Sequence, residues 1–457
     1  MKQKFAFLIA LLPIFAGQSV QAQSSAPACT MYVASSGSSH SSGVSSASPT
    51  TLLHAASIAI AGAVVCIKPG TYDLDSTFYP AHSGTASAWI TYTAHGAGAV
   101  NIVWTGGANA SDVNMFHMYS RKFPDGPSYI QFNGLTLNGQ NAAENGFFCQ
   151  NAHHLKYTRN VIENMGSSGI GSVDCDYQTA DHNIIFHNGY IAGWSSGISF
   201  NSNQWFDAYS GFHNIVANNF VAGSFDASNN HSDGNGIIMD LSNGTYKPSS
   251  ANTPPALIVN NVVYGNGGRC IENYVVTNIW VINNTCYDND LDLRLGAVGE
   301  IVSNSANTEV FANNIVQSWG NHQPFQAIGT VTAGTMKYRS NLIYGGRNAG
   351  TPGAGFTTAN PLFLASPVYN TTDDGQYAST VHPSTLGPDL QLQAASPAIG
   401  AGIDPTTLAT NASLKSDMAA YVYSDILGIA RPIGGPFTLG AYQVTAAASK
   451  SIRKSSK

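Results

Sequence analysis

Charge is scarce in this sequence. Only 10% of its 457 residues are Asp, Glu, Lys or Arg, against roughly 25% in soluble globular domains. Polarity rests on Asn, Ser, Gly and Thr instead, a balance common in exported β-rich proteins. Further absences narrow the chemistry. No GxxxxGK[ST] phosphate loop and no Rossmann or kinase signature occurs, so neither a nucleotide nor a redox cofactor is implied. No GxSxG elbow precedes a helix, so an α/β-hydrolase triad is not indicated. No CxxC occurs, which argues against zinc held by thiolates. No stretch approaches about 18 uninterrupted apolar residues, so no membrane insertion is expected. Long amphipathic stretches are also missing, which excludes a helical solenoid.

Basic residues are scarcer than acidic ones, and the ends of the chain hold many of them. "MKQKFAFLIALLPIFAGQSVQAQ" carries Lys2 and Lys4, an apolar run from Phe5 to Phe15, and Val20 and Ala22 at the −3 and −1 positions of a signal peptidase site. Cleavage near Ala22 and a secreted protein, periplasmic or extracellular, are expected. "SKSIRKSSK" reads as a disordered basic tail over 444–457. Setting aside Lys2, Lys4, Lys450, Arg453, Lys454 and Lys457 leaves 13 basic against 25 acidic residues, a body charge of −12. Nucleic acid is not an expected partner of such a surface.

What the chain does have is a repeat. Asn followed by a hydrophobic alternation recurs at Asn160, Asn183, Asn219, Asn261, Asn284, Asn314 and Asn341, with spacings of 23, 36, 42, 23, 30 and 27 residues. A base period near 23 with short β-branched runs between Asn and Gly turns is what one coil of a parallel β-helix needs. The turn asparagines are expected to stack into an amide ladder. Six cysteines allow fifteen pairings; Cys29–Cys66, Cys149–Cys175 and Cys270–Cys286 are the expected ones.

The expected fold is therefore all-β, a parallel β-helix. "MYVASSGSSHSSGVSSASPTTLLHAASIAIAGAVVCIKPGTY" at 31–72, "NPLF" at 360–363, "DLQLQAASPAIGAG" at 389–402 and "LGAY" at 439–442 carry a resemblance to bacterial secreted right-handed parallel β-helix proteins of the pectate-lyase-like superfamily. The resemblance implies a right-handed solenoid with an N-terminal capping helix around residues 52–61 and an irregular C-terminal closing segment. One domain is expected over 23–443, with coils over about 64–350 and the closing segment over about 351–443. That superfamily hosts lyases, hydrolases, epimerases and binding proteins, so these motifs speak to architecture more than to activity.

Two insertions, 199–212 and 242–256, enlarge consecutive coils around "NNHSDGNGIIMD" at 229–240. Loops on one side of a solenoid tend to wall its groove, which makes Trp205 and Tyr209 candidate sugar-stacking residues. The same aromatics would equally serve to pack the loop down. Aligning "SSGI", "SSGI", "GNGI" and "GRCI" places Ile170, Ile198, Ile237 and Ile271 in one inward stack. Ser168, Ser196, Asn235 and Arg269 then form an outward column, which a 23-residue offset continues to Asp292. A neighbouring column runs Trp194, Asp233, Gly267, Asp290.

Asp233, Arg269 and Asp292 are the expected catalytic residues. Asn235, His231, Glu272 and Arg294 join Trp205 and Tyr209 as expected substrate contacts, with Asp226 and Asp240 in a supporting rank. The resemblance implies an acidic polysaccharide as partner, bound by a monomer, and β-elimination next to a uronate carboxylate as the first reading. Calcium on Asp233 and Asp290 is the cofactor it implies, although "NGGRCIE" stands where an acid-rich turn would complete a calcium cage. Arg269 then neutralises the uronate or acts as base, and as an outward turn residue it is expected to contribute little to folding. A glycoside hydrolase with Asp233 as acid and Asp290 or Asp292 as base is the second reading. A non-catalytic polysaccharide-binding module is the third.

Overall fold

The computed structural model describes residues 28–107, 113–241, 253–296, 298–330, 335–347, 354–367 and 390–444. Both termini and most of the second insertion, residues 242–252, lie outside the described residues, as do the expected signal peptide and all but the first residue of the basic tail. Strands of three to six residues follow one another around successive coils and pair only with their counterparts one coil away. The result is three parallel sheets of 11, 11 and 8 strands, the right-handed parallel β-helix anticipated from the repeat. Among the described residues no helix is long and apolar enough to cross a membrane.

The repeated asparagines mark the corner between the first and second sheets. Each donates its Nδ2 to the Oδ1 of the next, from Asn160 through Asn183, Asn219, Asn261, Asn284 and Asn314 to Asn341, at 2.9–3.2 Å. Each Oδ1 also accepts the backbone N–H of the asparagine one coil earlier. A corner would otherwise bury unpaired amides, and the ladder satisfies them. The residue before every ladder member has a φ between 51° and 58°. Asn tolerates that left-handed conformation better than other side-chain-bearing residues, which is why four of the seven corners read Asn-Asn.

Inside the coils, Ile170, Ile198, Ile237 and Ile271 are in register, continued by Phe147 before them and Ile301 after them. All are at most 1% exposed and belong to the central core. The helix Leu52–Ile58, capped by Thr51, covers the N-terminal end with Leu52, Ala55 and Ala56 buried. The three expected disulfides are present.

The C-terminal segment runs along the side of the solenoid. Its helix Ala412–Val422 packs Leu414, Met418 and Val422 on Leu257, Val259 and Trp280 of the first sheet. Phe363, Leu390, Leu392 and Tyr442 cover Tyr264, Tyr287 and Ile315 of the second. Two of the three outer faces are thus covered by this segment over the later coils.

Candidate functional site

The open outer face of the third sheet carries a cavity of about 680 Å³. Two columns of side chains, fixed by strand register, form its floor. One runs Phe148, Gly171, Ser199, Ile238, Glu272, and the other runs Val173, Asn201, Asp240, Tyr274, Asn304. Ser167, Ser168, Trp194, Ser232, Asp233 and Arg269 form the wall on the strands' N-terminal side. From the rung of Phe148 to that of Asn304 the cavity spans roughly 24 Å at about 4.8 Å per coil.

The segment 226–240 builds its chemical centre. Asp226 accepts the backbone N–H groups of Ser228, Ser232 and Asp233, an Asx-type network that holds the loop in shape. Asp233 then accepts from the Ser232 hydroxyl at 3.0 Å and from the Asn235 amide at 3.2 Å. Burial pushes its carboxyl up to about 7, helped by the charge of Glu272 and opposed by that of Arg269. At the other end of the strand Asn235–Asp240, Asp240 accepts from Asn201 Nδ2 at 2.8 Å. Its carboxyl is also raised to about 7, by burial first and then by Asp233 and Glu272.

Arg269 is held from three sides. Its guanidinium donates to the Ser232 carbonyl at 2.6 Å and pairs with Glu272 at 3.0 Å, while Asn235 Oδ1 accepts its backbone N–H at 2.9 Å. Burial raises the Glu272 carboxyl, and Arg269 draws it back down. Among the described residues Arg269 is the one Lys or Arg lining the cavity, against Asp233, Asp240, Glu272 and Glu144. The cavity therefore carries an acid surplus, within which Asp233 and Asp240 are raised to about 7.

Asp233, Asn235, Arg269 and Glu272 are thus brought together, but the other expected contacts are not. Asn235 is fully buried; its side chain supports Asp233, Glu272 and Arg269 from beneath, so the column is a buried corner and not an outward surface. Asp292 leaves the column altogether. Ile271 pairs with Ile301, 30 residues on, so Gly299 takes the position after Arg269. Asp292 instead caps the short helix Leu293–Leu295 and binds both His231 at 3.0 Å and Arg294 at 2.8 Å. None of these three residues lines the cavity. Asp290 is fully buried near His322, at 3.6 Å.

Trp205 and Tyr209 belong to another part of the surface. Trp205 packs edge-on against His213, and Tyr209 donates to Asp417 of the C-terminal helix at 2.9 Å. Tyr209 therefore ties the loop to the C-terminal segment, while Trp205 packs beside His213. The aromatics that do line the cavity are Trp194, Phe148 and Tyr274, and Asp240 has a central place. Asn201, Asp240 and Tyr274 each follow an inward isoleucine by three residues, so the same register contained them.

Calcium needs several converging oxygen ligands. Among the described residues the one group of three His, Cys, Asp or Glu donors within reach of a common ion is Cys29, Cys66 and His95, and both cysteines are bonded to each other. Asp233 and Asp290 recruit no third such side chain, so the donor set does not form a carboxylate cage.

No family model matches this chain, and no curated relative is found. Solved structures do resemble it. Pectate lyase Pel9A is 17% identical over 91% of this chain and 96% of its own, with a TM-score of 0.50. A rhamnogalacturonan lyase is 16% identical over 69% and 87%, with a TM-score of 0.43. A glycoside hydrolase is 9% identical over 72% and 96%, with a TM-score of 0.49. The first of these likenesses supports the β-helix architecture.

Proposed function

We propose that the protein is a secreted carbohydrate-active enzyme that hydrolyses a polysaccharide in the cavity of the third sheet, with Asp233 and Asp240 as its acid–base pair. The observation that carries this reading is that two aspartates line one open cavity with both carboxyls raised to about 7. Hydrolysis needs one carboxyl that keeps its proton for the leaving oxygen and one that takes a proton from water. Two mutually repelling carboxyls meet that need, because the first proton leaves more easily than the second.

The acid surplus also suits the charge of the transition state. Glycosidic cleavage passes through an oxocarbenium-like cation, which surrounding carboxylates stabilise. β-Elimination next to a uronate builds negative charge, and the one cation lining the cavity is already paired with Glu272. An uncharged sugar at the cleavage point is therefore favoured over a uronate. Export agrees with three disulfides, which persist in oxidising compartments.

A second reading is β-elimination on an acidic polysaccharide, favoured by the position of Arg269 at the cavity wall. Calcium would be its cofactor. The test is a polysaccharide screen followed in parallel for reducing ends and for the ultraviolet absorbance of unsaturated uronate. Reducing ends without absorbance support hydrolysis, and absorbance overturns it in favour of elimination. Neither signal across neutral and acidic polymers overturns both.

A further inference from the structure

Resting on the reading of the cavity as a glycan site, we infer that Trp194 is the stacking platform of a second subsite, one rung upstream of Asp233, that takes an uncharged pyranose ring. Trp194 is 71% exposed with φ at 55°. The left-handed φ is shared by many turns of the solenoid, but an indole left in water gives up its burial energy. Among the described residues nothing repays that cost, since the ring makes no aromatic contact or hydrogen bond.

The backbone under the ring is nevertheless firmly held. Ile191 and Ala192 both donate to the Gly166 carbonyl, at 3.0 and 2.8 Å, and the Ser195 hydroxyl donates to the Ala192 carbonyl at 2.6 Å. Gly193 sits so close to the next loop that a Cβ there would fall 2.5 Å from Ser228 Cβ. A fixed turn that presents an unpartnered indole is a preformed platform, because the cost of ordering it has been met before any ligand arrives.

Position assigns the ligand. Ser196 is in register with Asn235, which sets Trp194 level with Asp233 and about 4.8 Å upstream along the axis. A sugar stacked there continues a chain whose glycosidic bond lies by Asp233. Upstream of the ring the cavity is lined by Asn145, Ser167 and Ser168, with Phe148 opposite. Gly171 keeps the floor low, since a Cβ at that position would meet the Phe148 ring at 3.0 Å. Hydroxyls and an amide around an aromatic face suit a pyranose with one C–H-rich face, and Glu144, the one acid at this end, disfavours a uronate.

The test uses Asp233→Asn as an inactive background and native gels containing xylan, galactan, polygalacturonate or alginate, with wild-type turnover of each polymer measured alongside. At least one neutral polymer is expected to retard Asp233→Asn. Adding Trp194→Ala should weaken that binding about tenfold, Trp194→Phe should weaken it less, and Trp205→Ala should leave it unchanged, all with unaltered melting temperatures. Unchanged affinity in Asp233→Asn/Trp194→Ala, or retardation by the acidic polymers alone, overturns the subsite while leaving the catalytic pair standing if turnover is seen. Absence of both binding and turnover across the four polymers overturns the functional reading, and the subsite with it.

Discussion

Asp233 stands second only to burial among the causes that hold up the Asp240 carboxyl. One residue precedes the strand Asn235–Asp240 and the other ends it, so a single rung of the solenoid carries both groups that handle protons. Neither can ionise without making ionisation of the other harder. Their shared environment makes pH the most direct probe of the site.

Each carboxyl is raised from an ordinary value near 4 to about 7. Between those values the folded protein holds protons that the unfolded chain has released, so stability must fall as pH rises through that window and level off above it. The loss is on the order of a few kcal/mol. Melting temperatures at pH 5 and pH 8 check the sign: wild type should melt lower at pH 8, and Asp240→Asn should narrow the difference. Activity should decline as pH passes about 7, where the remaining acid loses its proton.

Substituting the pair should separate chemistry from folding. Asp233→Asn and Asp240→Asn are expected to lower kcat by about 10²- to 10⁴-fold with the melting temperature kept or raised at pH 8. Asp292→Asn should leave kcat within a few-fold of wild type, because Asp292 is engaged with His231 and Arg294 outside the cavity. Steady-state kinetics on the polymer found in the screen decides between them.

Arg269 calls for a different expectation from the one its sequence position suggests. It is nearly buried and paired with Glu272, whose side chain is only 4% exposed. Removing the guanidinium alone strands a buried carboxylate, at a cost of about 3–5 kcal/mol. Arg269→Ala should therefore unfold markedly earlier in urea, and Arg269→Ala/Glu272→Gln should recover much of the loss. Equal stability of the two variants would mean that the pair contributes nothing to the fold.

The architecture was legible because it is written in local, repeated chemistry. Every corner needs an amide that can bridge coils, and Asn recurs at that position with the spacings that the ladder bonds then reproduce. The inward isoleucines Ile170, Ile198, Ile237 and Ile271 pair from coil to coil, and that register carries Asp233, Arg269 and Glu272 to one face. Asp292 was misplaced because the coil from Ile271 to Ile301 is longer than the base period and spends the excess on the turn around Leu293–Leu295. Tyr209 lies away from the cavity because its partner, the helix Ala412–Val422, is some 200 residues away in sequence, a contact that no repeat announces; Trp205 packs beside His213 instead. Asp240 is legible from the register as well, since it follows Ile237 by three residues and so stands beside Asn201 and Tyr274.

The ladder makes its own prediction. Asn219 donates to the Ala180 carbonyl and to Asn261, and its Oδ1 accepts two bonds from Asn183. Asn219→Ala leaves buried donors on Asn183 and an acceptor on Ala180 without partners, each worth about 1–3 kcal/mol. Urea unfolding should show a loss at the upper end of single-substitution effects, whereas Asn230→Ala, on the exposed loop, should be silent.

Calcium separates the two enzymatic readings, because they respond to it in opposite ways. If Asp233 acts as a proton carrier, a chelator should leave the rate unchanged, and excess calcium should not rescue Asp233→Asn, since an amide at that position can no longer hand over a proton. If Asp233 is instead a ligand in β-elimination, the chelator should abolish turnover, and high calcium should partly restore Asp233→Asn through its remaining carbonyl oxygen. The geometry favours the first outcome, for Asp290 faces His322 and no third Asp, Glu or His donor converges with Asp233 among the described residues. Rate measurements with chelator and with added calcium, on wild type and on Asp233→Asn, give four values. Chelator sensitivity together with calcium rescue would transfer Asp233 from the acid–base pair to a metal site and make Arg269 the residue facing the uronate.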